Sequence, residues 1–286
     1  MCIRDRSEYL SNNVQVLDAV IGGAFWHEWP GLDVLREDLA IILRRETDYE
    51  SQLNASRRWG REWHFRIGVH LLRGVITPEE AGTQYGDLAL AMLKELWCLV
   101  NTQFAKKHGP APGRGSALIG LGSLGIKKLH PKSDLDLILI YDAAGVEMSS
   151  GEKSIESRSY YARLTKALVA AISAPMNEKS LFHVDMRLRP SGNQGPVATS
   201  LQAFKHYQTS EAWVWEHLAL VNATIVAGPE ILRTDISKFC ESLKKMRSEK
   251  NVMAGLSIMR NRLFSPSNIN KKWSMKLGRV SFRILN

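Results

Sequence analysis

Leu32, Leu35, Leu39 and Ile42 recur at helical spacing and a second helical stretch covers 57–74, so the region from 31 to about 108 reads as helices. Thr77-Pro78-Glu79-Glu80 opens another helix: threonine caps it, proline takes the first helical position, and Glu80 is placed to complete a capping box. Leu88, Met92, Leu96 and Leu99 give that helix its inward face, and Gly109-Pro110 should stop it. Beyond the breakers Pro110, Pro112 and Gly113 the apolar runs shorten. They predict strands at 117–121, 135–141 and 182–188, with a helix over 155–172 that aligns Leu164, Leu168 and Ile172 and ends before Ala174-Pro175-Met176-Asn177. The fold class implied is α/β (α+β): a helical connector at 1–110, a mixed-sheet domain at 111–228, and the start of a second helical region at 229–286. Trp59, Trp63, His64 and His70 read as core or boundary residues of the first region.

Two carboxylates interrupt this pattern. Asp134 and Asp136 flank Leu135 at the head of the apolar run that continues through Leu137, Ile138, Leu139 and Ile140. Residues two apart on a strand point the same way, so both can reach one cation, and a strand covered on both faces tolerates a carboxylate only if it is paired or binds metal. Ten residues separate Asp134 from the upstream pair Gly122-Ser123, where a residue without a side chain lets backbone N–H groups approach a phosphate and a hydroxyl adds a donor. The pattern implies magnesium and a nucleotide. On the third predicted strand, alternation puts His183, Asp185 and Arg187 on one face. Asp185 would then be a third carboxylate completing a cation site, or the partner of Arg187 or Arg189, which could also support a polyphosphate.

A competing pattern uses the same glycines. Gly120-x-Gly122-x-x-Gly125, with Asp142 about twenty residues on, has the layout of a dinucleotide-binding fingerprint and would make the protein an oxidoreductase. That fingerprint needs a helix between its strands. Residues 126–133 are too few, lack an apolar face and contain Pro131.

Composition narrows the setting. The chain has 286 residues, 44% of them hydrophobic, enough for a full core. Cys2, Cys98 and Cys240 are scattered and odd in number, which argues against a disulfide framework or zinc site and for a reducing, cytoplasmic location. No stretch approaches membrane-spanning length. The net charge of +9 is concentrated in residues 233–286, which hold thirteen Lys or Arg against three acids. A solvated helical face explains this charge better than nucleic acid, since aromatic residues are not interleaved with the basic ones.

Four runs carry a resemblance. These are Asp134-Leu135-Asp136-Leu137-Ile138-Leu139-Ile140-Tyr141-Asp142, Tyr160-Tyr161-Ala162-Arg163-Leu164-Thr165, Val184-Asp185-Met186-Arg187-Leu188-Arg189-Pro190-Ser191-Gly192 and Glu211-Ala212-Trp213-x-Trp215-Glu216-His217. Together, over roughly residues 10–278, they resemble bacterial glutamine synthetase adenylyltransferase, and the last two resemble its C-terminal, AMP-attaching domain rather than its AMP-removing one. The resemblance implies a nucleotidyltransferase fold flanked by helices, ATP as substrate, magnesium at Asp134, Asp136 and Asp185, and phosphate contacts from Gly122, Ser123, Arg187 and Arg189. It also implies glutamine synthetase as target, the PII signal protein as a possible regulator, and a role in nitrogen metabolism. By the same comparison the chain reads as a fragment, with residues 1–6 and 280–286 off the family pattern. Ser123 stands where that family usually has lysine, Ile126 where it has glycine, Lys128 where it has glutamate, and Asn222 and Thr224 where it has arginines. These departures leave two readings: an active adenylyltransferase, or an impaired one that only binds the synthetase.

Overall fold

A computed structural model describes residues 24–173 and 181–246. The first region is three helices, α1 (Leu32–Arg45), α2 (Tyr49–Leu72) and α3 (Pro78–His108). Leu35, Leu39 and Leu43 form the buried stripe of α1; Ile42 lies at its margin. The second helix begins eight residues before the predicted Arg57, because Asp48 caps it by accepting the Ser51 N–H (2.9 Å). Its first turns bury few apolar side chains, which is why periodicity alone misses them. The capping box of α3 forms as expected: Glu80 N–H donates to Thr77 Oγ1 (3.2 Å) and Thr77 N–H to Glu80 Oε2 (2.7 Å). Gly109, at φ 80°, ends that helix. Trp59, His64 and His70 are buried, as the sequence suggests.

The strands make a mixed sheet in the order β3-β2-β1-β5, with β4 also on β2. β1 (Gly115–Gly120) runs antiparallel to β2 (Leu135–Asp142), Ile119 opposite Ile138, and antiparallel to β5 (Thr224–Ala227) on its other side. β3 (Val184–Asp185) and β4 (Ala198–Ser200) pair in parallel with the first and second halves of β2, so the loop between them interrupts one edge. A single-turn helix, α4 (Gly122–Gly125), and residues 126–134 join β1 to β2. This antiparallel connection removes the dinucleotide reading, which needs parallel strands and a packed crossover helix.

Alternation along β2 sorts the two cores. Leu135, Leu137, Leu139 and Tyr141 join α3 and α5 (Ser157–Ser173) on one face. Ile138 and Ile140 join Ala117 and Ile119 on the other, against α6 (Leu201–Ser210), α7 (Val214–Val221) and α8 (Glu230–Met246). Asp136 shares the parity of Ile138 and therefore belongs to this second face. Among the described residues no helix is long and apolar enough to cross a membrane. The interruption at 174–177 and most of the basic stretch 233–286 lie outside the described residues.

The β1–β2 connection rests on α3. Leu129 N–H donates to Gly82 O (3.0 Å), and Gly86 faces the Lys127 carbonyl so closely that a methyl group there would stand 2.5 Å from its oxygen. A methyl at Gly82 would meet Leu129 O at 3.7 Å, an ordinary contact. Glycine inside a helix is less stable than alanine by about 1 kcal/mol, so the two sites should respond with opposite signs. Gly82→Ala is expected to raise stability by roughly 0.5–1 kcal/mol. Gly86→Ala is expected to lower it by roughly 1–3 kcal/mol through overpacking against backbone. Urea titrations of both variants check this; a gain in both would mean the connection is not seated on the helix.

Candidate active site

At the end of β1 the chain turns sharply beside β2. Leu121 N–H donates to Asp136 O (2.9 Å), after which Gly122 adopts φ 55°, a left-handed conformation that favours glycine. A Cβ on Gly122 would run into Asp136 Oδ2, so the glycine is required for close approach as well as for its backbone angle. Ser123 follows, half-buried, in the first turn. From below, β5 holds the turn: Thr224 Oγ1 donates to Gly125 O (2.8 Å), and the Asn222 carbonyl fills the space a Cβ on Gly125 would need. Asn222 and Thr224 thus lie beside the glycine turn.

Asp136 and Asp185 are register partners across the parallel β2–β3 pair. Asp134 is exposed and stands one residue ahead of β2 rather than inside it. The third predicted strand is shorter than expected, two residues instead of seven, and the reason is local. Asp185 Oδ1 accepts the Arg187 N–H (2.8 Å), which turns the chain out of its extended path. The face expected to align His183, Asp185 and Arg187 therefore does not continue as pleated strand. Arg187 instead folds back as a fork on Asp185, with Nε 2.8 Å and Nη2 2.5 Å from Oδ2. That bidentate contact holds the Asp185 carboxyl below the usual carboxylate range, against the opposing effect of burial. Asp185 raises the Arg187 pKa in turn, chiefly through that hydrogen bond.

Arg189 has a different place. Its Nη1 donates to Met186 O (2.7 Å) and its Nε to Gly195 O (3.3 Å), and the side chain is buried. It staples the loop between β3 and β4. Ser191 (φ 59°) and Gly192 (φ 53°) make the tip of that loop left-handed. Periodicity does not single out one buried charge of the α6–α7 corner. Glu216, buried in the first turn of α7, accepts the Trp213 N–H (2.8 Å) and the Tyr207 hydroxyl (2.9 Å). The only sequence signal for it is a glutamate three residues after the helix start, inside a motif already quoted for its resemblance.

Among the described residues no three His, Cys, Asp or Glu side chains stand together as a group that could hold a metal ion, and Asp185 is paired with Arg187. The donor chemistry nonetheless suits magnesium, which is commonly held by one or two carboxylates with substrate phosphates supplying further oxygens. Asp136 and its register neighbour Asp185, with Asp134 just ahead of β2, are the residues that would hold such an ion.

A glycine turn joining antiparallel strands, with aspartates on β2 and on its parallel neighbour, defines a nucleotidyltransferase-like α/β domain. The family model for glutamate-ammonia ligase adenylyltransferase matches residues 6–238, and the chain belongs to that family. It is 38% identical over 273 residues to the bifunctional glutamine synthetase adenylyltransferase/adenylyl-removing enzyme of Brucella suis, covering 95% of this chain and 28% of that protein. The similarly named proteins of Bradyrhizobium sp. and Mesorhizobium japonicum are 34% and 37% identical, over 94% of this chain in each case. The chain thus spans 27–28% of the length of these three curated relatives.

Proposed function

We propose that this chain transfers AMP from ATP to a tyrosine hydroxyl of glutamine synthetase, with release of pyrophosphate. The observation that carries the reading is the register of Asp136 beside Asp185 across β2 and β3, next to a glycine turn that packs against Asp136 too closely for a Cβ, in a member of this family. Asp134 and Asp136 would hold magnesium, joined by Asp185; when bound, the ion would offset phosphate charge and favour departure of pyrophosphate. Gly122 and Ser123 would face the phosphates, and Arg187 would exchange Asp185 for a phosphate oxygen. The freed Asp185 carboxylate could then take the phenolic proton. A phenol with an ordinary pKa of about 10 is a weak nucleophile at neutral pH and needs such help. Its oxygen bonds to the α-phosphorus as the bond to the bridging oxygen breaks, and pyrophosphate leaves with that electron pair. Arg189, committed to backbone carbonyls, would support the phosphates indirectly by shaping the loop. Free thiols at Cys98 and Cys240 suit a reducing cytoplasm. A PII protein as regulator follows from the family alone.

Incubation with glutamine synthetase and ATP labelled in the α-phosphate tests the reading. Label on the synthetase supports it; co-elution without label would make the chain a binding module; neither outcome would leave the synthetase without a role here.

Ser123 and Thr224 favour weighing the impaired alternative, because neither brings a cation to the turn. A charge-assisted hydrogen bond to phosphate contributes about 1.5–3 kcal/mol. Ser123→Lys combined with Thr224→Arg is therefore expected to raise AMP transfer by roughly tenfold or more, even though the second change removes the Thr224–Gly125 hydrogen bond. Initial rates of both chains at saturating synthetase check this. Equal rates would mean that the uncharged turn suffices.

A further inference from the structure

The segment that leads from the glycine turn to Asp134 is seated on the helical region. Along α3, Gly82, Tyr85 and Gly86 fall on one face, at spacings of three and four. The two glycines admit backbone: Gly82 O accepts the Leu129 N–H (3.0 Å), and the Lys127 carbonyl fills the space a Cβ on Gly86 would need. Lys127 itself stands at φ 55°, which a residue with a Cβ keeps only when surrounding contacts impose it. Between the glycines, the buried Tyr85 packs its ring on His64 of α2, with centroids 4.7 Å apart. His64 extends the seat past Leu129. It is buried, its Nε2 lies 3.2 Å from Pro131 O, and because a carbonyl can only accept, the ring nitrogen donates.

That hydrogen bond falls in the last turn before the first aspartate. Ser133 N–H donates to His130 O (3.0 Å) and His130 N–H to Ser133 Oγ (2.9 Å), with Pro131 at the turn position whose φ proline presets. Asp134 follows directly, and the next residue already belongs to the sheet, Leu135 N–H donating to His183 O (2.8 Å). Asp134 therefore lies between two anchored points, one on the sheet and one on α2. Its side chain is exposed, so the placement of its backbone decides where the carboxylate stands.

We propose that His64 is a positioning residue for nucleotide transfer: from the helical region it pins the Pro131 turn and so sets where Asp134 stands at the head of β2. This rests on the transfer reading of the same site. Displacing reacting groups by about 1 Å can cost about a hundredfold in rate, whereas one hydrogen bond removed from a half-buried turn leaves the fold in place.

His64→Phe keeps an aromatic ring against Tyr85 and removes the donor; His64→Gln gives up the ring and keeps an N–H for the same carbonyl. In the full chain, His64→Phe is expected to lower kcat for AMP transfer by about tenfold and to raise the magnesium concentration needed for half-maximal transfer, with KM for glutamine synthetase nearly unchanged. His64→Gln should recover most of the rate. Amide hydrogen exchange at Ser133 should become faster in His64→Phe and stay near the parent value in His64→Gln. Trp59→Phe is the control for stability: it removes the Trp59 Nε1–Asp38 hydrogen bond (2.6 Å) within the helical region and should lower the melting temperature while sparing transfer. Unchanged kcat or unchanged Ser133 exchange in His64→Phe overturns the proposal. So does a His64→Gln as slow as His64→Phe, or a loss of transfer that follows melting temperature across all three variants. If the parent chain transfers no AMP, the functional reading itself fails, and magnesium-dependent ATP affinity then decides the role of His64: affinity weakened in His64→Phe and restored in His64→Gln sustains the placing of Asp134, and any other pattern refutes it.

Discussion

Asp136→Asn is expected to lower AMP transfer by about 100- to 1000-fold while leaving the fold in place. The side chain lies on the face of β2 shared with Ile138 and Ile140, but at the end of the strand, half-buried, and its backbone carbonyl keeps the Leu121 hydrogen bond whatever the side chain. An amide of the same shape retains one oxygen, loses the charge, and turns an NH2 group toward the cation or toward Gly122. Magnesium-dependent ATP affinity should fall with the rate. Asp142→Asn, at the far end of the same strand, is the matching control. Asp142 Oδ2 accepts from Arg114 (2.9 Å), which also reaches Asp235, so that change should lower melting temperature modestly and spare transfer. Calorimetric titration with ATP, with and without magnesium, and transfer assays on both variants check the pair. Unchanged ATP affinity and transfer in Asp136→Asn would remove Asp136 from the site.

The elements read correctly from the chain are those whose signals are local. The Thr77 capping box, the Gly109 stop and the apolar run of β2 each lie within a few residues and need no partner to be recognised. Elements set by tertiary contact are less legible. Ala198–Ser200 and Thr224–Ala227 are too short for periodicity, and become strands because β2 and β1 offer them edges. The third strand was legible as apolar alternation through Leu188, yet Asp185 ends it by bonding Arg187. The same distinction holds at the site. Asp134 and Asp136 are conspicuous because carboxylates at an apolar strand need a reason. The register that puts Asp185 beside Asp136 is a property of the sheet and is not visible in the chain. Glu216 and Tyr207 are nine residues apart, and only the packing of α6 on α7 brings them into contact. For Arg189 the chain shows only a guanidinium near a proposed phosphate site; its bonds to Met186 O and Gly195 O depend on how the loop folds.

The glycine turn yields the second large effect, with stability and activity separated. Gly122→Ala should reduce AMP transfer by about a hundredfold and reduce stability by only about 1–2 kcal/mol. The stability part comes from φ 55°, which a residue with a Cβ adopts at that approximate cost. The activity part comes from the neighbour. A Cβ at this position meets Asp136 Oδ2, with Asp136 Cγ next at 3.4 Å. The end of a short side chain can rotate away, so the fold yields at low energetic cost, but the atom that rotates is the one proposed to hold the cation. Gly145→Ala is the appropriate comparison. It has a similar backbone angle, φ 81°, and no atom within 4 Å of the added methyl group. Its destabilisation should resemble that of Gly122→Ala while transfer stays near the parent rate. Urea titration and transfer assays on the two alanine variants measure both quantities. Equal activity in the two, at equal stability, would mean that displacing the Asp136 carboxylate is harmless, and the site would have to be rebuilt without it.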